Sequence, residues 1–83
     1  MPMKHQRHFE TATREAVQTR TLIDDLNRIV QILNSAIANE EQRAGIFDPL
    51  EAAYPMHARE LLARRDNLTD TIAALELRLG RKK

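Results

Sequence analysis

The feature that most constrains this fold is a repeat of apolar residues between Leu22 and Ala44. These residues recur three and four positions apart, which is the spacing of one face of an α-helix. They are Leu22, Ile23, Leu26, Ile29, Val30, Leu33, Ala36 and Ile37. Since this face is wider than the seam of a two-stranded coiled coil, the repeat predicts a helix that packs against two neighbours.

A second run with the same spacing follows, and the stretch between the two runs carries turn signals. Gly45 is a common helix stop, and Asp48 followed by Pro49 favours the start of a helix. Pro55 then interrupts any helix that starts there. The sequence therefore predicts an all-α, coiled-coil-like antiparallel hairpin of two helices. The predicted segments are a helix at 22–44, a turn with a short helical turn at 45–55, and a helix at 56–79.

Residues 1–20 form a basic arm with a net charge of +2, and residues 81–83 form a basic tail with a charge of +3. The segment between them, residues 21–79, has a net charge of −4 because ten Asp and Glu outnumber six Arg. Three threonines lower the helix propensity of the arm, although its apolar residues keep the helical spacing. We therefore expect the arm to be a weakly helical or frayed extension of the first helix.

The wide apolar face and the overhanging arm predict self-association, because a single hairpin covers neither of them. A symmetric pair of hairpins forms a four-helix bundle that buries such a face. We therefore expect a homodimer. The candidate self-association residues are Phe9, Ala16, Leu22, Ile29, Ile32 and Ala36.

The turn contains a cluster of apolar residues that has two interpretations. It either seals the end of the bundle as a plug or presents a docking site to a protein partner. The sequence does not identify that partner. The cluster consists of Ile46, Phe47, Leu50, Tyr54 and Met56.

The composition argues against an enzyme. The chain has no cysteine, Ser35 is its single serine, and its two glycines do not form a phosphate-binding loop. His5 and His8 lack the further ligands that a metal site requires. We therefore expect no catalytic residue, no metal and no cofactor.

The sequence also predicts a location. No apolar run approaches the length of a membrane span, and the residues after Met1 lack the apolar block of a signal peptide. The turn around Gly45 lacks the tryptophan of the secretion-associated hairpins that carry a Trp-x-Gly turn. We expect a cytoplasmic protein that does not bind a membrane.

Two functions fit these predictions. The first is a non-enzymatic protein–protein interaction module (a small adaptor, assembly factor, chaperone-like protein or inhibitor) that acts through helix–helix packing. The alternative is a small dimeric nucleic-acid-binding regulator that contacts phosphates with its basic ends. In architecture the predicted hairpin resembles the dimeric hairpins of the Rop type, which implies contacts with paired RNA loops. The candidate nucleic-acid contacts are Arg59, Arg64, Arg78, Arg81, Lys82 and Lys83.

Overall fold

The fold is an antiparallel pair of helices. The computed structural model describes the backbone of residues 2–80 and the side chains of residues 13–80. Within this part of the chain there are two helices, α1 (Pro2–Ala44) and α2 (Met56–Gly80), and no strand. The two helices pack against each other, so the all-α hairpin predicted from the apolar spacing is confirmed.

The two helices differ in length. α1 has 43 residues and α2 has 25, and the molecule measures 66 × 18 × 15 Å. A shallow cleft where α2 ends is lined by Arg20 and Ile23 of α1 and by Leu79 and Gly80 of α2. About 18 residues of α1 therefore extend past the end of α2, which corresponds to about 27 Å of helix. The segment from residue 2 to residue 20 belongs to the same helix as residues 22–44.

The core is a thin layer between the two helices. Ala58 is completely buried, and its small side chain allows α1 and α2 to approach each other closely near the turn. The other buried side chains are mostly branched aliphatics, as the apolar spacing requires. Within the described part of the chain, the buried residues are Ile23, Leu33, Ile37, Tyr54, Ala58 and Ile72.

α1 ends at Gly45 by a left-handed backbone conformation. The φ angle of Gly45 is 73°, and its N–H donates a 2.8 Å hydrogen bond to the carbonyl oxygen of Glu41. This geometry is the αL motif, which satisfies one of the last free carbonyls of the helix. The predicted glycine stop is confirmed.

The turn at 45–55 is held by a chain of local hydrogen bonds. The Asp48 carboxylate accepts from the N–H of Leu50 at 2.9 Å, and the Asp48 carbonyl accepts from the N–H of Glu51 at 3.0 Å. The Glu51 carbonyl in turn accepts from the N–H of Tyr54 at 3.1 Å. These bonds stabilise the reversal of the chain before Met56, where α2 begins.

Candidate interaction surfaces

The folded chain exposes more surface than a compact protein of its mass. Its solvent-accessible surface is 6797 Å², whereas a compact monomer of 9.6 kDa exposes about 5,100 Å². The radius of gyration is 19.1 Å, compared with about 12 Å for a compact domain of this length. The elongated hairpin thus leaves about 1,700 Å² of additional surface open to solvent.

One row of apolar side chains along α1 is only partly covered by α2. The α1 row (Leu22, Ile29 and Ala36) repeats every seven residues, so its members lie on one side of the helix. Leu22 is 47% exposed and Ile29 is 41% exposed, while Ala36 is half-buried. Leu26 and Leu33 lie between this row and α2 and are less exposed. The α1 row therefore borders the seam of the hairpin and widens its apolar surface.

The other predicted self-association residues lie outside this row. Ile32 is exposed and lies on the side of α1 that faces away from α2. Ala16 is half-buried in the part of α1 that precedes the cleft. The side chain of Phe9 lies outside the described residues.

The predicted turn cluster divides into an inner and an outer part. Leu50 is 92% exposed, and Phe47 and Met56 are also exposed; we call these three residues the apolar tip. Ile46 is half-buried, and Tyr54 is buried at 4% exposure. Tyr54 and Ile46 therefore pack into the corner of the hairpin, whereas the apolar tip lies in solvent.

Polar contacts around Tyr54 hold the corner together. Its hydroxyl donates a 2.7 Å hydrogen bond to the carboxylate of Glu41, near the end of α1. Burial, this hydrogen bond and the negative charge of Glu41 together raise the pKa of Tyr54 to about 12. The Arg59 guanidinium lies 5.5 Å from the centroid of the Tyr54 ring. Arg59 also donates to the carbonyl oxygens of Pro49 at 3.0 Å and Glu51 at 3.2 Å, so α2 is tied directly to the turn.

The basic residues proposed for nucleic-acid contacts are spread along the molecule. Arg59 donates to two turn carbonyls and stacks on Tyr54, so its guanidinium is already engaged. Arg64 and Arg78 are exposed on α2 and lie 14 residues apart, about 21 Å along the helix axis. The remaining candidates, Arg81, Lys82 and Lys83, lie outside the described residues.

Arg65 interrupts the apolar spacing of α2 and reaches across to α1. Its Nη1 donates a 3.2 Å hydrogen bond to the side-chain oxygen of Asn34. Its Nε and Nη2 donate to the carboxylate of the neighbouring Asp66, at 3.3 and 3.1 Å. The contact with Asn34 joins residues 31 positions apart and links α2 to α1.

The described residues offer neither a metal site nor a membrane-spanning segment. Among side chains 13–80, no group of three or more His, Asp or Glu residues is arranged to hold a metal ion. Neither described helix contains an apolar stretch sufficient to cross a bilayer. The α1 row and the apolar tip are candidate surfaces of this part of the chain, and Val17, Ile32 and Leu77 are further exposed apolar side chains in it.

Several contacts were not predicted from the sequence, among them those of Glu41 with Tyr54 and of Asn34 with Arg65. A buried tyrosine hydroxyl normally finds a hydrogen-bond partner, which was a usable signal for the first contact. The second depends on the register of the hairpin and had no local signal. In comparisons with known proteins, no family model, curated protein or solved structure matches this chain.

Proposed function

We propose that this chain is a non-enzymatic interaction module that acts through helix–helix packing, and that two copies associate into a four-helix bundle. The observation that carries the proposal is the α1 row, which is apolar and is only partly covered by α2. Apolar helix faces of this kind are buried against another helix in stable proteins. A second copy offers a helix face of the same length and spacing.

The amount of exposed surface supports this proposal. Each chain exposes about 1,700 Å² more than a compact protein of its mass, so a pair has about 3,400 Å² to bury. Permanent homodimer interfaces bury about 2,000–5,000 Å² in total. A pair that buried this surface would therefore have an interface of the size found in permanent homodimers. The thin core supports the same conclusion, because a chain this short buries little apolar surface alone.

Substitutions on and off the α1 row test the proposal. We expect wild type to sediment as a dimer and Ile29→Asp to sediment as a monomer, because the substitution places a carboxylate in the interface. Leu77→Asp is the matched control, since Leu77 is 59% exposed but lies on α2, away from α1. We expect Leu77→Asp to remain dimeric.

A milder substitution distinguishes a loss of association from a loss of folding. Ile29→Ala removes apolar contact without adding charge, and we expect it to raise the dimer dissociation constant by about tenfold or more. Circular dichroism reports whether the helices persist. A monomeric wild type, or equal effects of Ile29→Asp and Leu77→Asp, would contradict the proposal.

A further inference from the structure

Two uncovered regions lie at opposite ends of the molecule. At one end, α1 continues for about 27 Å past the end of α2. At the other end, Phe47, Leu50 and Met56 form the apolar tip. Within one hairpin these two regions cannot contact each other, because the length of α2 separates them.

We infer that the dimer is antiparallel, with the two α1 helices running in opposite directions and each arm lying over the apolar tip of the second copy. This inference rests on the proposed function, since it specifies how the two copies are arranged. The second copy is thus the occupant of both uncovered regions. The arrangement follows from lengths and from charge.

The lengths of the two copies match when the two-fold axis of the dimer passes beside Ile29, the middle residue of the α1 row. Ala44 ends α1 about 22 Å beyond Ile29, and Arg14 lies about 22 Å before it. In an antiparallel pair, Arg14 of one copy is therefore level with Ala44 of the other. The helix that precedes Arg14 then runs alongside the turn, and its further 18 Å or so is long enough to cover the tip. In a parallel pair, the two arms meet each other and both tips stay exposed.

The charges favour the same arrangement. The arm, residues 1–20, has a net charge of +2, whereas residues 40–51 contain four acidic residues and one arginine, a net charge of −3. The antiparallel pair places each positive arm beside a negative turn. A parallel pair would place like charges together at both ends, and charge patterns of this kind determine orientation more than affinity.

The tip is also suited to a permanent contact because its backbone is held in place. Asp48 accepts from the N–H of Leu50, and Arg59 donates to two carbonyls of the turn. The side chain of Leu50 is therefore presented to solvent from an ordered backbone. A preordered surface loses little conformational entropy when it is covered.

Distances between spin labels test this arrangement in the full-length chain. The chain contains no cysteine, so one introduced cysteine labels one position. Gln18 and Asn39 are both exposed and lie three heptads apart on the same side of α1. In the antiparallel dimer, two Asn39→Cys labels are separated by about 30 Å along the axis, and two Gln18→Cys labels by about 33 Å. In a parallel dimer both pairs are level and lie within about 20 Å of each other.

Mixed dimers provide the complementary measurement. When one copy carries Gln18→Cys and the other carries Asn39→Cys, the antiparallel arrangement brings the two labels level, within about 20 Å. A parallel arrangement separates them by about 31 Å. Sedimentation of the same labelled samples separates the two proposals. A dimer with parallel distances overturns the inference alone, whereas a monomer overturns both the inference and the proposed function.

Discussion

Replacing Tyr54 with Phe removes one oxygen atom from the corner and tests how the two helices are joined. The lost hydrogen bond links a buried hydroxyl to the carboxylate of Glu41 at 2.7 Å. Hydrogen bonds to charged groups contribute about 1.5–3 kcal/mol. Since Glu41 is only half-buried and is able to turn towards water, we expect a loss near the lower value, about 1.5 kcal/mol. This corresponds to a fall in melting temperature of about 6–12 °C at equal chain concentration.

The same contact makes a prediction about pH. Burial and Glu41 raise the pKa of Tyr54 from 10.0 to about 12. The unfolded chain therefore releases this proton at lower pH than the folded chain does. The stabilisation that the protonated Tyr54 provides is complete below about pH 10 and is lost as the pH rises through about 12, by about 3 kcal/mol in total. Tyr54→Phe lacks this dependence because phenylalanine does not titrate.

The titration is directly observable because Tyr54 is the single tyrosine and the chain has no tryptophan. The ultraviolet absorbance of the phenolate should give a midpoint near pH 12 in the folded chain and about pH 10 in urea. Glu41→Gln is the matched control, because it keeps a hydrogen-bond acceptor and removes the charge, and its midpoint should lie below that of wild type. A titration midpoint near pH 10 in the folded chain, or a Tyr54→Phe variant as stable as wild type, would contradict the stabilising role of the hydrogen bond between Tyr54 and Glu41.

Three further predictions concern the turn and the tip. Gly45→Ala should cost about 1 kcal/mol in urea unfolding because the φ angle of Gly45 is 73°; Gly80→Ala, at a glycine without positive φ, should cost nothing, and equal effects would contradict the reasoning. Arg59→Lys should lower the free energy of unfolding by about 1–2 kcal/mol, because an ammonium group does not span two carbonyls and stack on a ring. Leu50→Asp should leave the helical content unchanged while raising the dimer dissociation constant about tenfold by sedimentation, and an unchanged constant would contradict the covering of the tip.

The hairpin itself was predictable from the sequence, because the apolar residues that are buried recur with the period of an α-helix. Ile23, Leu33 and Ile37 are buried, and each belongs to the apolar repeat of the first helix. Gly45 ends that helix because few other residues adopt its positive φ without strain. These features depend on local spacing and backbone conformation, which the sequence records directly.

The continuity of α1 through the arm was harder to predict. Threonine has a low helix propensity, yet Thr19 and Thr21 donate hydrogen bonds to the carbonyls of Glu15 and Val17, four residues earlier. Between Pro2 and Gly45 no glycine or proline interrupts the helix. Propensity is a weak guide where no residue terminates a helix.

The division of the turn cluster depended on tertiary geometry. Tyr54 and Leu50 are four residues apart and both are apolar in character, but one is buried and the other is almost fully exposed. The difference follows from the turn at Asp48 and from the hydrogen bond between Tyr54 and Glu41. Neither contact can be inferred from residue types alone. The sequence therefore left two interpretations of the turn cluster, a plug and a docking site.

The central claim is that one hairpin leaves too much of α1 uncovered and that a second copy covers it. Sedimentation equilibrium of the unmodified chain over about 1–100 µM tests this most directly, because association depends on concentration. We predict that the average mass rises to twice the 9.6 kDa of the single chain. A folded, helical chain that stays at 9.6 kDa at the highest concentration would contradict the claim.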